Sequence, residues 1–504
     1  MTFRRIAVAF STLAIVASGC TGDAASPALS AQPAVRTVAC PAEIAAVVLT
    51  EMTCGYLTVP EDRSDTNSAT VDVFFLRVKP AGEIEGLPYF SYGYELAQIP
   101  SYASVSPPSG DPSGNGPELV LMDQRGAGHS TPSLACPEVD AASPDLLAGA
   151  SASRAAFLDA IGSCHDRLTA GGVDLSAYTI AAAADDAEDL RQLFGIRSWN
   201  LISWGTTSRL LLEMERRHPE GIHALVMDSP QFPQVDDSST ASSSIRASLA
   251  NLARACREDR ACDRAYPDVV GTFDQVLARL DASPETATVT VGTEELTVVV
   301  DAAAMVRAMR HLLSFTDAGA LPIIPALVYA ARRGDVDAVA DTLARDPGMC
   351  VGYLPRCIYD TSLGTFLSFT CTGEAPFVDA SALADSAAAP GYAEAYGDDP
   401  YLAACDVWDV TPAEASASEA VRSDVPTLIM WGEYDAFTPF DPVEHATQTL
   451  TNALVIAVPF LGHDVFGTYD CTREIRNQWL VDLGPAPDAT CLSTIPRPDF
   501  EIEH

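Results

Sequence analysis

Short apolar runs recur along this chain, and most are followed by a stretch with helical spacing. Thr70 to Val78 alternates, with Val71, Val73 and Phe75 on one face, and together with Gly55 to Val59 it predicts an antiparallel pair of strands. Leu87 to Ser91, Glu118 to Asp123, Trp199 to Ile202, His223 to Asp228, Pro426 to Trp431 and Ala453 to Pro459 are continuous runs of strand length, the pattern of strands buried on both faces. Helical segments at Ala181 to Phe194 and Thr207 to Arg217 lie between them. Strands that alternate with helices in this way specify an α/β fold with a largely parallel, doubly wound sheet. Between Pro230 and about Pro426 the pattern changes to predicted helices at Ile245 to Arg254, Phe273 to Leu280, Ala302 to Phe315, Leu321 to Arg332 and Asp335 to Ala344. A helical block inserted between two halves of a sheet predicts a cap over the strand ends, where ligands of open α/β sheets bind.

Length and composition set the limits. The 504 residues, 48% hydrophobic and 19% charged, describe a folded globule larger than one ordinary core. Net charge is −38 and Lys79 is the single lysine, which argues against nucleic acid or an anionic membrane surface as a partner. At the amino end, Arg4 and Arg5, the apolar stretch Ile6 to Ala17 and the small-residue run Ala17-Ser18-Gly19-Cys20 resemble a bacterial lipoprotein signal, in which Cys20 becomes the lipidated first residue. The expected plan is a signal at 1–19, a flexible tether at 20–39, the first part of the core at 40–235, a mainly helical cap at 236–420 and the rest of the core at 421–504. The product is then exported, as a cell-envelope lipoprotein or a secreted protein, touching membrane only through lipid on Cys20. Thirteen cysteines less Cys20 leave an even dozen, and proximity pairs them as Cys40–Cys54, Cys136–Cys164, Cys256–Cys262, Cys350–Cys357, Cys371–Cys405 and Cys471–Cys491. No Cys-x-x-Cys pair occurs and no two histidines sit at helical spacing, so no metal or other cofactor is expected.

Candidate chemistry enters at Asn200 to Thr206. There Ser203 stands between an apolar run and an amphipathic segment, as in a nucleophile elbow, with Gly205 as the small residue downstream and Leu201 where the upstream one belongs. An acid, Asp435, follows the run ending at Trp431, and His463 follows the run ending at Pro459. Ser, Asp and His in that order, each just past a strand, match the triads of α/β hydrolases. A serine hydroxyl is a poor nucleophile at neutral pH, so His463 is expected to take its proton and Asp435 to fix the imidazole. Asp123 and Arg125, beside another strand end, are expected to form a buried ion pair that fixes the nearby loops.

Cys54-Gly55-Tyr56-Leu57-Thr58-Val59-Pro60, Asp123-Gln124-Arg125-Gly126 with Ser130-Thr131-Pro132, the Ser203 elbow, Asp435-Ala436-Phe437-Thr438-Pro439, Gly462-His463 and the closing Cys471 and Cys491 together resemble the proline iminopeptidase and tripeptidyl-aminopeptidase branch of the α/β hydrolases. The resemblance spans nearly all of Cys40 to Cys491 except the middle of the cap, and implies an α/β-hydrolase fold and a serine peptidase. The branch's glycine-rich oxyanion loop is here Ser91-Tyr92-Gly93-Tyr94-Glu95-Leu96, leaving the backbone of Gly93 or Tyr94, with that of Trp204, as the expected oxyanion donors. Three readings stand: an aminopeptidase acting on small peptides, a carboxylesterase acting on small acyl esters, and a binding lipoprotein that kept the fold and lost turnover. An aminopeptidase needs a carboxylate for the substrate ammonium, for which Glu374 at the end of the cap is the candidate.

Overall fold

The computed structural model describes residues 32–47, 51–79, 87–92, 117–142, 150–314, 320–345, 363–388, 390–393, 395, 400–438, 442–463, 465–484 and 486–502. The signal with Cys20, the loop residues Gly93 and Tyr94, and the Cys350–Cys357 pair lie outside the described residues.

Among the described residues, nine strands form one sheet, in the order β1-β2-β3-β5-β4-β6-β7-β10-β11. Its antiparallel edge is β1 (Ala34–Val38), β2 (Met52–Pro60) and β3 (Thr70–Val78). From β5 (Leu119–Met122) across β4 (Tyr89–Tyr92), β6 (Trp199–Trp204), β7 (Ile222–Asp228), β10 (Thr427–Gly432) and β11 (Ala453–Val458) the pairing is parallel. Every apolar run predicted as a strand lies in this sheet. Because β4 lies between β5 and β6, the strand order reverses there, and the crevice at the carboxyl ends of β4 and β6 is where an open sheet of this kind takes a ligand. Residues 34–38, expected in the tether, are instead the edge strand β1, whose backbone pairs with β2 from Ala34↔Thr58 to Val38↔Cys54. The Cys40–Cys54 disulfide anchors its far end.

Helices cover both faces. The crossover helix Ile180–Leu193 begins at Thr179, whose side chain accepts from Ala182 N–H, and buries Ala183, Ala187 and Leu190 against the sheet. On the opposite face, Trp479 and Ile475 of Asp470–Asp482 pack on Val226, Leu428 and Met430.

The cap differs from a single helical block in two ways. Its first part, from Asp237–Glu258 to Asp337–Arg345, has its own core, in which Ile245, Phe273, Met305 and Val339 pack together. That core also holds a hairpin, β8 (Glu285–Val291) and β9 (Glu294–Val300), turned at Gly292, in a block expected to be mainly helical. The later helices Leu363–Gly373 and Pro400–Trp408 belong to the main core: Leu367, Phe369, Ala404 and Trp408 pack in the cluster that holds Phe157 and Ile161 of the helix Ala150–Ala170. The Cys371–Cys405 disulfide and a hydrogen bond from Trp408 Nε1 to Ser368 Oγ (2.9 Å) join that pair. Five of the six expected disulfides are present, the sixth lying outside the described residues.

Candidate active site

The turn that joins β6 to the helix Thr207–Arg217 does not place Ser203 at its apex. The strand runs on through Trp204, and the chain reverses at Gly205, whose φ of +53° is the left-handed conformation that a nucleophile elbow imposes on its central residue. Gly205 N–H donates to Asp228 O (3.0 Å) and its carbonyl accepts from Ser208 N–H (3.1 Å), so strand and helix are both hydrogen-bonded through it. Ser203 is a correction to the expected triad. It lies two residues back in the strand, buried, and its hydroxyl shares a hydrogen bond with that of Ser208 (2.9 Å). Thr207, two residues after the apex, fills the position where a second small residue is usual, and its hydroxyl accepts from Trp204 N–H (3.1 Å) and donates to Trp204 O (2.7 Å). Trp204 is therefore a second correction: its N–H is spent inside the turn. The N–H after the apex is that of Thr206, at the N-terminus of the helix, where a helix end carries its partial positive charge.

The acid and the histidine do come together. Nδ1 of His463 lies 2.9 Å from Oδ2 of Asp435, both side chains being buried. Asp435 also accepts from the Phe437 and Thr438 N–H groups (2.8 and 3.3 Å) and the Thr438 hydroxyl (2.5 Å). Burial alone raises a carboxyl pKa, but the charge of His463 and these hydrogen bonds outweigh it and hold Asp435 below its ordinary value. The imidazole lies between the rings of Trp204 and Phe437, centroids 5.2 and 5.5 Å away. Its Nε2 is 2.9 Å from where a Cβ on Gly205 would be. Thus the acid-histidine pair faces the apex, and at the apex there is no side chain.

The cap holds this pair in place through contacts that motif reading does not reveal. Ser314 O, at the end of the helix Ala302–Ser314, accepts from His463 N–H (2.6 Å), and its hydroxyl accepts from Ala436 N–H (3.2 Å). Arg310 donates to the carbonyls of Ala436 and Phe437 (3.1 Å each) and covers the Phe437 ring at 4.2 Å. Ser248 Oγ donates to Asp435 O (2.9 Å).

Other expected site residues are differently placed. Glu374 is bound by Arg209 (2.9 Å), which also donates to Val235 O (2.8 Å), so its charge is already matched. Asp123 and Arg125 do not pair with each other. Arg125, fully buried, makes a two-pronged bond to Asp186 (2.8 and 2.7 Å) on the crossover helix, while Asp123 accepts from His129 N–H (2.7 Å). Burial pushes Asp123 up to about 6, against the hydrogen bonds from His129. Asp123 thus ties its own loop through His129, six residues on, and Arg125 fixes its loop through a partner distant in sequence.

Comparison with known proteins agrees with this architecture. A family model described as "alpha/beta hydrolase fold" matches residues 111–468. Similar solved structures include a proline iminopeptidase-related protein from Thermus thermophilus (16% identity, covering 87% of this chain and 100% of that one, TM-score 0.37). They also include a proline iminopeptidase from Mycobacterium smegmatis (13%, 85% and 98%, 0.35) and a thermophilic esterase from Thermogutta terrifontis (13%, 85% and 99%, 0.33). No curated protein sequence matches significantly.

Proposed function

The chain belongs to the alpha/beta hydrolase fold family, and from that premise we propose that it is an exported hydrolase of small acyl esters whose reactive pair is His463 and Asp435. The observation that carries the reading is the position of His463: its Nδ1 is held by Asp435, and its Nε2 reaches the apex of the turn in the ligand crevice of the sheet. A base so oriented acts on a proton of the reacting species. Peptide substrates are poorly supported. An amine is a much worse leaving group than an alkoxide, and amide cleavage in this fold relies on the covalent nucleophile that Gly205 does not supply. The carboxylate that would receive a substrate ammonium, Glu374, is neutralised by Arg209. Export is supported by the five disulfides, which persist in oxidising compartments.

The test compares p-nitrophenyl acetate and butyrate with prolyl and alanyl p-nitroanilides, free and N-acetylated, on the native protein and on His463→Ala. Esters alone should turn over, and the variant should lose on the order of 10²–10⁴-fold, the usual contribution of a positioned base. Turnover of free but not acetylated anilides would bring back the aminopeptidase. Ester binding without turnover would favour a hydrolase-fold binding protein, the second reading that the bare apex supports.

A further inference from the structure

An α/β hydrolase with a serine at the turn works in two steps, through an acyl-enzyme. We propose that this protein works in one, with a water molecule taking the place of the missing side chain; the proposal rests on the ester-hydrolase reading and concerns the same site.

The first support is the turn itself. Gly205 carries the positive φ of the nucleophile position, Gly205 N–H and O are hydrogen-bonded on both sides, and Nε2 of His463 points its reach at the place where a side chain would begin. The second is that the hydroxyls of Ser203, Ser208, Thr207 and Thr438 are committed. Ser203 and Ser208 bond each other, Thr207 bonds both backbone groups of Trp204, and Thr438 donates to Asp435. A serine whose hydroxyl is tied up two residues back in a strand cannot deliver it to a carbonyl over the apex. The third is that the charge arrangement of a base remains. Against its burial, Asp435 is held below its ordinary value by the charge of His463 and by its hydrogen bonds, the arrangement that stabilises an imidazolium, and the helix N-terminus at Thr206 can stabilise an oxyanion.

The step balances with water alone. Nε2 of His463 takes one proton from a water over Gly205 as the water oxygen bonds to the ester carbonyl carbon, and the carbonyl electrons move to oxygen beside Thr206 N–H. The tetrahedral adduct collapses, the bond to the alkoxide oxygen breaks, and the imidazolium returns the proton to that leaving group. The products are one carboxylic acid and one alcohol, and no bond to the protein forms at any stage. Good leaving groups are therefore required, which narrows the substrates to activated esters such as aryl esters or thioesters.

Rapid mixing of the native protein with p-nitrophenyl acetate, followed by intact-mass analysis during turnover, tests this. The expected result is steady release from the first turnover with no burst, no added acetyl mass, and a loss of on the order of 10²-fold or more in His463→Ala. A burst stoichiometric with protein, or an acetyl adduct on Ser203, Thr206 or His463, would overturn the one-step route while leaving the ester hydrolase standing. Absence of any His463-dependent turnover would remove both.

Discussion

A hydroxyl at position 203 and a glycine at position 205 satisfy the same pattern, since both are small and a tight turn asks for small residues on either side of its centre. Reading Ser203 as the centre followed from the need for a nucleophile. Locating the centre required knowing where the strand ends, and the apolar run continues into Trp204, which is as acceptable in a strand as in a turn. Asp435 and His463 were legible because each follows a long unbroken apolar run that could only be a strand. The partners of Arg125 were not, because Asp186 lies on a helix whose acidic residues look alike in sequence. One buried residue of the elbow helix has a measurable consequence. Burial pushes the Glu215 carboxyl from its ordinary 4.5 up to about 7, against a smaller pull from Ser423. The folded state then binds a proton that the unfolded chain releases, so this group's contribution to stability is full below about pH 4.5, falls as pH rises through the window to about 7, and is flat above it. Glu215→Gln should remove that slope and stabilise the protein at pH 8 by on the order of 3 kcal/mol. Parallel melting curves at pH 4 and pH 8 read this; equal shifts at both would contradict it.

At the scale of elements, strands with strong apolar runs were predicted to within about two residues at each end, whereas β1 and the β8–β9 hairpin were missed for different reasons. β1 is a short edge strand with mostly exposed or half-exposed residues, so its sequence carries little burial signal and only the backbone ladder to β2 defines it. The hairpin did carry a signal, since Ala287 and Val289 alternate with threonines and Gly292 marks the turn, but it sits among helices that drew the reading. The contact between the cap and the histidine loop had no signature at all. It depends on Gly462, where an added Cβ would lie 2.0 Å from Ser314 O, a backbone atom at the end of a packed helix. Gly462→Ala should therefore displace the helix or the loop, destabilise the fold by about 1–3 kcal/mol and lower kcat well beyond any change in KM. Thermal melts with ester kinetics check this; an alanine variant with native kcat would mean that the cap does not hold His463.

For the molecule as a whole, the α/β class, the parallel sheet and five disulfide pairs could be read directly, because they depend on periodicity and on cysteines close together in the chain. The division of the cap could not. The helices Leu363–Gly373 and Pro400–Trp408 bury their apolar residues in the cluster that holds Ala150–Ala170, and nothing local distinguishes a helix that closes a cap from one that returns to the main core. That return places Glu374 beside Arg209 of the elbow helix and so removes it from the role that its sequence position suggested. Sheet, cap and returning helices meet around a turn whose central residue is glycine, and the chemistry follows from that one position. Labelling with a fluorophosphonate, read by intact mass and peptide mapping, tests it most directly. The native protein and Ser203→Ala should both remain unlabelled, and Gly205→Ser should gain one label at position 205; labelling of the native protein that disappears in Ser203→Ala would contradict the account.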